Sequence, residues 1–199
     1  MTIIGITGSF GSGKTTVSRM FGDLGAYVID ADNVCHQLIK NKGGVYSKIK
    51  RSFGEGLLKK DKSIDRKILA EIVFNNKAKL RLLNRLVHPE AIRRINKIIK
   101  AKKREKIIVV DAALLIESGF YKKMDRVLLV KASRDKQVSR IRRFKGMSDI
   151  QALQRIRMQA RERKKISLAD FVIDNSGSKK ETLSQVKKIW EQLGEGLCQ

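Results

Sequence analysis

Eight residues near the amino terminus form the pattern with the clearest chemistry. Residues 8–15 read Gly-Ser-Phe-Gly-Ser-Gly-Lys-Thr, which matches the phosphate-loop pattern G-x-x-x-x-G-K-[ST] in full. Gly8, Gly11 and Gly13 let the backbone pass close to phosphate groups because they carry no Cβ. The N–H groups of such a loop, together with the start of the following helix, form a nest for anions. The pattern therefore predicts a site for a nucleoside triphosphate.

Two side chains at the end of this loop add a positive charge and a metal ligand. Lys14 can bridge the β- and γ-phosphates, and the Thr15 hydroxyl can coordinate magnesium. An apolar strand precedes the loop and an amphipathic helix follows it, which is the context that the pattern requires. We therefore expect ATP and Mg2+ at this site, with Thr15 as a metal ligand.

A carboxylate after the second predicted strand is the best candidate for the base that activates an acceptor hydroxyl. Asp32 follows that strand at its carboxyl end, where open α/β sheets bind their ligands. A second carboxylate, Asp30, lies two residues earlier. Asp32 also suits the N-cap of a helix, and the residues alone leave these two roles open.

The chain lacks the second motif that is typical of two other classes of nucleotide-binding protein. GTPases read guanine with N-K-x-D, but residues 76–79 and 96–99 begin with Asn-Lys and lack the Asp. Many helicase-type ATPases place Asp-Glu at the end of a strand, whereas Asp111 is followed by Ala112. A small-molecule kinase fits better, because it needs a base, an insert that binds the acceptor and a basic lid.

Strand-like and helix-like segments alternate along the chain, which predicts an α/β fold with a mostly parallel sheet. The predicted strands are residues 3–7, 26–29, 107–110, 126–130 and 171–173. The predicted helices around them are residues 14–24, 34–39, 135–143 and 149–159, with a closing helix that follows the Ser178–Glu181 capping box and runs to Leu193. A central stretch is almost entirely helical and forms a predicted inserted subdomain, with helices at 45–53, 65–74, 77–86 and 90–103.

Three helix ends carry recognisable signals. Gly25 is predicted to terminate the first helix. Ser148 with Gln151, and Ser178 with Glu181, have the spacing of capping boxes and predict the starts of two later helices.

The composition is strongly basic. The chain of 199 residues carries 44 Lys and Arg against 20 Asp and Glu, a net charge of +24. Such a charge attracts nucleic acid or phosphorylated small molecules. A nucleic-acid-dependent ATPase is therefore a second hypothesis, although aromatic residues make up only 6% and form no regular stacking pattern.

The remaining bulk features predict a cytoplasmic protein. The sequence has no run of 18 apolar residues, and its amino terminus lacks the basic start of a signal peptide. Cys35 and Cys198 lie far apart in the sequence, so we expect reduced thiols rather than a disulfide framework or a zinc site.

Taken in order and spacing, a set of motifs across nearly the whole chain resembles the dephospho-CoA kinase family. The set comprises residues 8–16, Asp30-Ala31-Asp32, Ile64-Asp65-Arg66, Ile72-Val73-Phe74, Val87-His88-Pro89, Leu114-Leu115 with Glu117, Gln137 with Arg140, Gln159, Ala169-Asp170 and Ile173-Asp174-Asn175. The resemblance implies that ATP donates its γ-phosphoryl group to the ribose 3′-hydroxyl of dephospho-CoA, giving CoA and ADP. This is the last step of coenzyme A biosynthesis. Kinases of nucleosides or nucleoside monophosphates are the alternative acceptor class.

The resemblance also implies a single domain with the three-layer P-loop kinase fold and a parallel five-stranded sheet. The core is expected at about 1–33, 104–133 and 166–199. A helical substrate-binding insert is expected at about 34–103, and a helical lid at about 134–165.

The roles of individual residues follow from the same resemblance. Asp32, Lys14 and Arg140 are the implied catalytic residues. The implied nucleotide contacts are Gly8, Gly11, Ser12, Gly13, Lys14, Thr15, Thr16 and Asn175. The implied contacts to the acceptor are Asp32, Arg66, His88, Pro89 and Leu114. His88-Pro89 could instead mark the start of a helix, and Asn175 could be a turn residue.

The predicted lid is rich in arginine. Arg140, Arg143 and Arg155 lie on two consecutive predicted helices joined at Gly146, and arginine suits phosphate oxygens and adenine stacking.

The chain departs from the family pattern at two positions: Ala113 replaces a proline and Phe144 replaces an aspartate. Both changes affect local geometry, and neither touches the phosphate loop or Asp32.

Overall fold

The structure is a computed structural model that describes residues 1–40, 42–74, 76–157 and 162–195. The chain divides into two compact units. The first comprises Met1–Asp30 and the residues from Lys102 onward, and the second is Ala31–Ala101. The functional division into core, insert and lid stays a prediction.

A five-stranded sheet forms the centre of the first unit. Its strands are β1 (Thr2–Gly8), β2 (Tyr27–Asp30), β3 (Ile107–Asp111), β4 (Arg126–Lys131) and β5 (Phe171–Asp174). All neighbours are parallel in the order β2-β3-β1-β4-β5, so the predicted parallel five-stranded sheet is confirmed. Every residue of β3 is buried, as expected for an unbroken apolar strand covered on both faces.

The helices agree closely with the sequence pattern in most places. In chain order they are α1 (Lys14–Asp23), α2 (Ala31–Lys40), α3 (Gly44–Phe53), α4 (Arg66–Phe74), α5 (Lys77–Ala101), α6 (Arg134–Lys145), α7 (Asp149–Arg157), α8 (Glu162–Ile166) and α9 (Lys179–Glu195). Two short 3-10 turns occur at Glu55–Leu57 and Phe120–Lys123. Among the described residues, no helix combines the length and apolar character needed to cross a membrane.

The core of the first unit packs α1 and α9 against the sheet. Val17, Met20 and Phe21 are buried on one face of α1, which is the face that their helical spacing predicts. The Phe21 ring lies 6.4 Å from the ring of Trp190 on α9. Leu24 is the C-cap of α1 and Gly25 follows it with φ +109°, so the helix ends one residue earlier than predicted.

Both capping boxes form. The backbone N–H of Ser148 donates to Gln151 Oε1 at 3.2 Å, and the N–H of Gln151 donates to Ser148 Oγ at 3.3 Å. Ser178 and Glu181 exchange the equivalent bonds at 2.7 and 3.2 Å. The bond from the Ser178 backbone lowers the pKa of Glu181. These reciprocal bonds satisfy N–H groups that have no partner inside the helix.

The second unit is helical and has its own apolar core. The core residues are Ile39, Val45, Tyr46, Ile49, Leu57, Ile64, Leu69, Val73 and Val87. Asp65 caps α4 by accepting the N–H groups of Lys67 at 2.8 Å and Ile68 at 3.3 Å. Asn76 caps α5 through bonds of 2.9 and 3.0 Å from the next turn. Short polar side chains at these two positions therefore start the two helices.

Two predictions about helix boundaries in this unit are wrong. First, α2 begins at Ala31 rather than Val34, so Asp32 lies inside the first turn instead of at the N-cap. Second, the helices predicted at 77–86 and 90–103 are one continuous helix, α5, with Pro89 in its interior. Proline normally ends a helix, because it has no N–H group to donate. A long helix that packs through a row of buried side chains tolerates the loss of this one hydrogen bond. The interpretation of His88-Pro89 as a helix start is therefore wrong.

We expect Pro89→Ala to stabilise the protein by roughly 1–3 kcal/mol, because alanine restores the N–H that proline lacks and removes its ring clash. Thermal and urea unfolding would measure the change. Lys97→Ala, at another exposed position of α5, is the matched control and should leave stability nearly unchanged. A lower melting temperature for Pro89→Ala would show that the packing of α5 requires the proline.

Candidate active site

The phosphate loop connects β1 to α1 and follows a path that requires glycine. Gly11 and Gly13 have φ values of +79° and +87°, in the left-handed region that residues with a Cβ avoid. Gly13 is the N-cap of α1, and its carbonyl accepts the N–H groups of Thr16 at 2.9 Å and Val17 at 3.2 Å. The amino-terminal end of α1 is thereby set directly after the loop, which is the arrangement that binds phosphate.

Two side chains from distant parts of the sequence converge on the Ser12 carbonyl of this loop. Arg140 on α6 donates to the Ser12 oxygen at 3.2 Å, and the side-chain amide of Asn175 donates to the same oxygen at 2.8 Å. Arg140 also donates to the backbone oxygen of Asn175 at 2.8 Å. The three residues therefore form a connected network that holds the phosphate loop against α6 and the end of β5.

Asn175 is more than a turn residue. It is 5% exposed, and its Oδ1 accepts the Thr182 hydroxyl at 2.9 Å. Its backbone N–H donates to the Lys131 oxygen at 2.8 Å, which ties it to the end of β4. Asn175 therefore supports the phosphate loop, which its interpretation as a simple turn residue does not include. Its contact with adenine stays a prediction.

Lys14 forms an ion pair with Asp111 at the carboxyl end of β3. The side chains are 11% and 3% exposed, so the pair is almost entirely shielded from water. Asp111 is in register with Ile6 of β1 and with Asp30 of β2, which places it between these two strands at the carboxyl edge of the sheet. This contact is not predicted from the sequence, where Asp111 serves only to argue against a helicase. An Asp ending a buried strand was the available signal.

Two buried polar atoms lie in or beside the loop without a hydrogen-bond partner among the described residues. They are Ser12 Oγ and Gln137 Oε1. The other side-chain atom of Gln137, Nε2, donates to the Ala132 oxygen at 2.6 Å, and a Cβ on Gly11 would lie 2.7 Å from the backbone oxygen of Gln137. The backbone of α6 at Gln137 therefore lies directly against the loop, where a larger residue at position 11 would not fit.

The predicted metal ligand lies at the surface of this site. Thr15 and Thr16 are both exposed at the start of α1. No cluster of three or more His, Cys, Asp or Glu side chains suited to a metal occurs in the described part of the chain. A cation at Thr15 would therefore need ligands from the phosphates and water, which is the arrangement that magnesium favours.

The predicted acceptor residues in the second unit lie on three helices. Asp32 is exposed in the first turn of α2, Arg66 begins α4, and His88 and Pro89 belong to α5, which packs against α2. The Arg66 guanidinium is 2.7 Å from Nε2 of His36, one turn after Asp32 on α2. His36 is not among the residues predicted from the sequence. The signal in the sequence is the spacing of four residues between Asp32 and His36, because this spacing places both residues on one face of a helix.

The other predicted residues lie in the first unit. Leu114 is half-buried after β3, and the Ala113 oxygen lies 3.5 Å from the Thr7 hydroxyl. Phe144 is 70% exposed, with the Arg143 guanidinium 5.4 Å from its ring centroid. The side chain of Arg155, together with Gln159 and Cys198, lies outside the described residues.

Comparison with known proteins identifies the chain. A family model described as dephospho-CoA kinase matches residues 2–181. The chain belongs to the dephospho-CoA kinase family. A dephospho-CoA kinase from Aquifex aeolicus is 42% identical over 194 residues, covering 97% of this chain and 98% of the relative.

Solved structures agree with this assignment. The dephospho-CoA kinase from Campylobacter jejuni is 30% identical with a TM-score of 0.71, over 98% of each chain. A crystal structure of a Thermus thermophilus protein has a TM-score of 0.84 and 31% identity, over 96% of each chain. The kinase fold expected from the resemblance is therefore confirmed, as is transfer of a phosphoryl group from ATP to dephospho-CoA.

In this dephospho-CoA kinase, Gly13→Ala should weaken ATP binding at least 10-fold and cost about 1–3 kcal/mol of stability. A Cβ at this position would collide with Nδ2 of Asn175 and lie 3.3 Å from Arg140, on a backbone that alanine rarely adopts. ATP titration and thermal unfolding would measure both effects. Gly44→Ala is the matched control, because a Cβ there meets nothing within 4 Å and the backbone has no positive φ. Wild-type ATP affinity in Gly13→Ala would contradict this account of the loop.

Proposed function

We propose that the phosphate loop binds the triphosphate of ATP and that Asp32 activates the 3′-hydroxyl of dephospho-CoA. The observation that carries this proposal is the convergence of Arg140 and Asn175 on the Ser12 carbonyl beside the Lys14–Asp111 pair. This convergence supports a model in which the shape of the phosphate loop is fixed before the nucleotide binds. A fixed array of donors stabilises developing charge because it need not reorganise during the reaction.

Within this proposal, the loop residues act on the donor side of the reaction. Backbone N–H groups at Gly11, Gly13 and the start of α1 bind the phosphates, and Lys14 exchanges part of its contact with Asp111 for the β- and γ-phosphates. Arg140 neutralises charge on the transferred group, and Asn175 borders the adenine. These roles need only small movements, because the side chains lie in or directly against the loop.

Magnesium fits the oxygen chemistry of the same site. The Thr15 hydroxyl would hold the ion, with oxygens of the phosphates and of water as its other ligands. When bound, Mg2+ neutralises the negative charge of the β- and γ-phosphates. Hard oxygen ligands of this kind, with water and phosphate, match the preference of Mg2+.

On the acceptor side, Asp32 accepts the proton of the ribose 3′-hydroxyl as that oxygen attacks the γ-phosphorus. A bond forms between the ribose oxygen and phosphorus, and the bond to the β–γ bridging oxygen breaks, so ADP leaves. Arg66, His88, Pro89 and Leu114 bind the remainder of dephospho-CoA. The net charge of +24 favours the arrival of both substrates, because each carries phosphate groups. We also propose a cytoplasmic location, where ATP is available.

A coupled assay of ADP release tests the proposal. With Mg2+ present, dephospho-CoA should give ADP and CoA in equal amounts, whereas adenosine, AMP and a control without acceptor should give little ADP. EDTA in excess of Mg2+ should abolish turnover, and added Mg2+ should restore it. ADP formation with AMP but not with dephospho-CoA would refute the assignment of the acceptor, and turnover in EDTA would refute the role of the metal.

A further inference from the structure

Lys165 is a completely buried cation at the end of α8. Its side chain is 0% exposed, and its Nζ lies 3.2 Å from Oε1 of Glu117, whose side chain is 22% exposed. The other described basic residues of α8, Arg163 and Lys164, are exposed. Placing an ammonium group in the protein interior is costly unless a counter-charge stabilises it, so the contact with Glu117 determines where Lys165 can lie.

The two members of this pair belong to segments that each lead along the chain to a residue in contact with the phosphate loop. Glu117 follows Asp111, the partner of Lys14, by six residues. The intervening segment is folded tightly, with Leu115 and Ile116 buried. A shift of Glu117 would therefore be transmitted along a short, packed stretch of chain to the end of β3.

A similarly short stretch of chain connects Lys165 to the start of β5. Five residues after it, Asp170 accepts the Val127 N–H at 2.7 Å and donates its own N–H to the Val127 oxygen at 2.8 Å. β5 then leads directly to Asn175, which bonds to the phosphate loop. The ion pair thus joins two stretches of chain: one begins at Asp111, which contacts Lys14, and the other leads to Asn175, which contacts Ser12.

Stability alone does not explain a buried ion pair. Apolar side chains of similar size usually stabilise a protein as well as such a pair does, because they carry no desolvation cost. A buried ion pair differs in that separating its two charges is costly, because each would then lie in the interior without its counter-charge. The properties of Lys165 and Glu117 therefore favour a role in fixing position.

We propose that Lys165 and Glu117 are positioning residues that hold α8 and the segment after Asp111 in the arrangement required for phosphoryl transfer. This inference rests on the proposed function of the phosphate loop, because its effect is exerted through Lys14, Asp111 and Asn175. Neither residue needs to touch a substrate. A displacement of about 1 Å at a reacting group can lower a rate about 100-fold, so a modest loss of alignment would be measurable.

Lys165→Met tests the proposal, with Lys164→Met as the matched control. Methionine fills a similar volume without a charge, and Glu117 can remain hydrated through its exposed part, so the variant should fold with nearly wild-type Tm. We expect kcat/KM for ATP to fall about 10- to 100-fold in Lys165→Met and to remain unchanged in Lys164→Met. Wild-type kcat and KM in Lys165→Met would overturn the proposal.

A second pair of variants keeps the test decisive if single changes unfold the protein. Glu117→Gln should lower Tm, because it removes the counter-charge that Glu117 gives to the buried Lys165, whereas Lys165→Met/Glu117→Leu removes both charges and should fold well. A folded double variant with low kcat/KM supports positioning, and one with wild-type kinetics shows that the pair is only structural. Turnover of dephospho-CoA by the wild-type enzyme is measured in parallel, so failure of the proposed function is seen separately.

Discussion

Asp32→Asn should lower kcat for CoA formation by roughly 10²–10⁴-fold while ATP still binds with nearly wild-type affinity. The asparagine side chain has almost the same shape as aspartate but cannot accept the proton of the 3′-hydroxyl. Asp32 lies in the first turn of α2 and not at its N-cap, and asparagine keeps a side-chain oxygen that can accept hydrogen bonds there. The loss should therefore appear in kcat rather than in folding. Rapid-quench measurement of CoA formed, together with ATP titration, would separate the two steps.

Asp135→Asn is the matched control for this substitution. Asp135 is also an exposed aspartate in the first turn of a helix, α6, so both variants lose a similar favourable interaction with the helix dipole. That interaction is worth about 0.3–1 kcal/mol. If Asp32→Asn changed only Tm, by the same amount as Asp135→Asn, Asp32 would be a helix-stabilising residue and another group would have to act as the base.

The parts of the fold that the sequence predicts well are those determined by local patterns. An unbroken β-branched run such as residues 107–110 is typical of a buried strand, and β3 is buried along its whole length. The boxes at Ser148 and Ser178 start helices because each satisfies N–H groups within four residues of itself. The phosphate loop is predictable for the same reason, since its glycines and the helix that follows are adjacent in sequence.

The parts that the sequence does not predict depend on contacts between distant residues. Nothing local to Asp111 indicates that its partner is Lys14, because the two meet only when β1 and β3 pair. The continuity of α5 through Pro89 is set by the buried residues on its opposite side, such as Val87 and Ala91, which outweigh the local preference. The burial of Lys165 could not be read from a run of basic residues, since its neighbours are exposed.

Lys14→Met should lower kcat by roughly 10²–10³-fold, because it removes a donor that stabilises charge on the transferred phosphoryl group. It should also destabilise the protein. Asp111 is only 3% exposed at its side chain, so loss of the Lys14 ammonium leaves a buried carboxylate without this counter-charge. Breaking a buried pair in this way costs about 3–5 kcal/mol. Lower activity in this variant could therefore come from either cause.

Lys14→Met/Asp111→Asn separates the two causes. The second substitution removes the buried charge, so the double variant should regain most of the lost stability in urea unfolding. Its kcat should stay low, because the cation that acts on the phosphates is still missing. Lys187→Met, at an exposed position on α9, controls for the change in net charge. If the double variant regained wild-type kcat along with its stability, Lys14 would serve the fold of the loop and not the chemistry, and the charge on the phosphoryl group would have to be neutralised by Arg140.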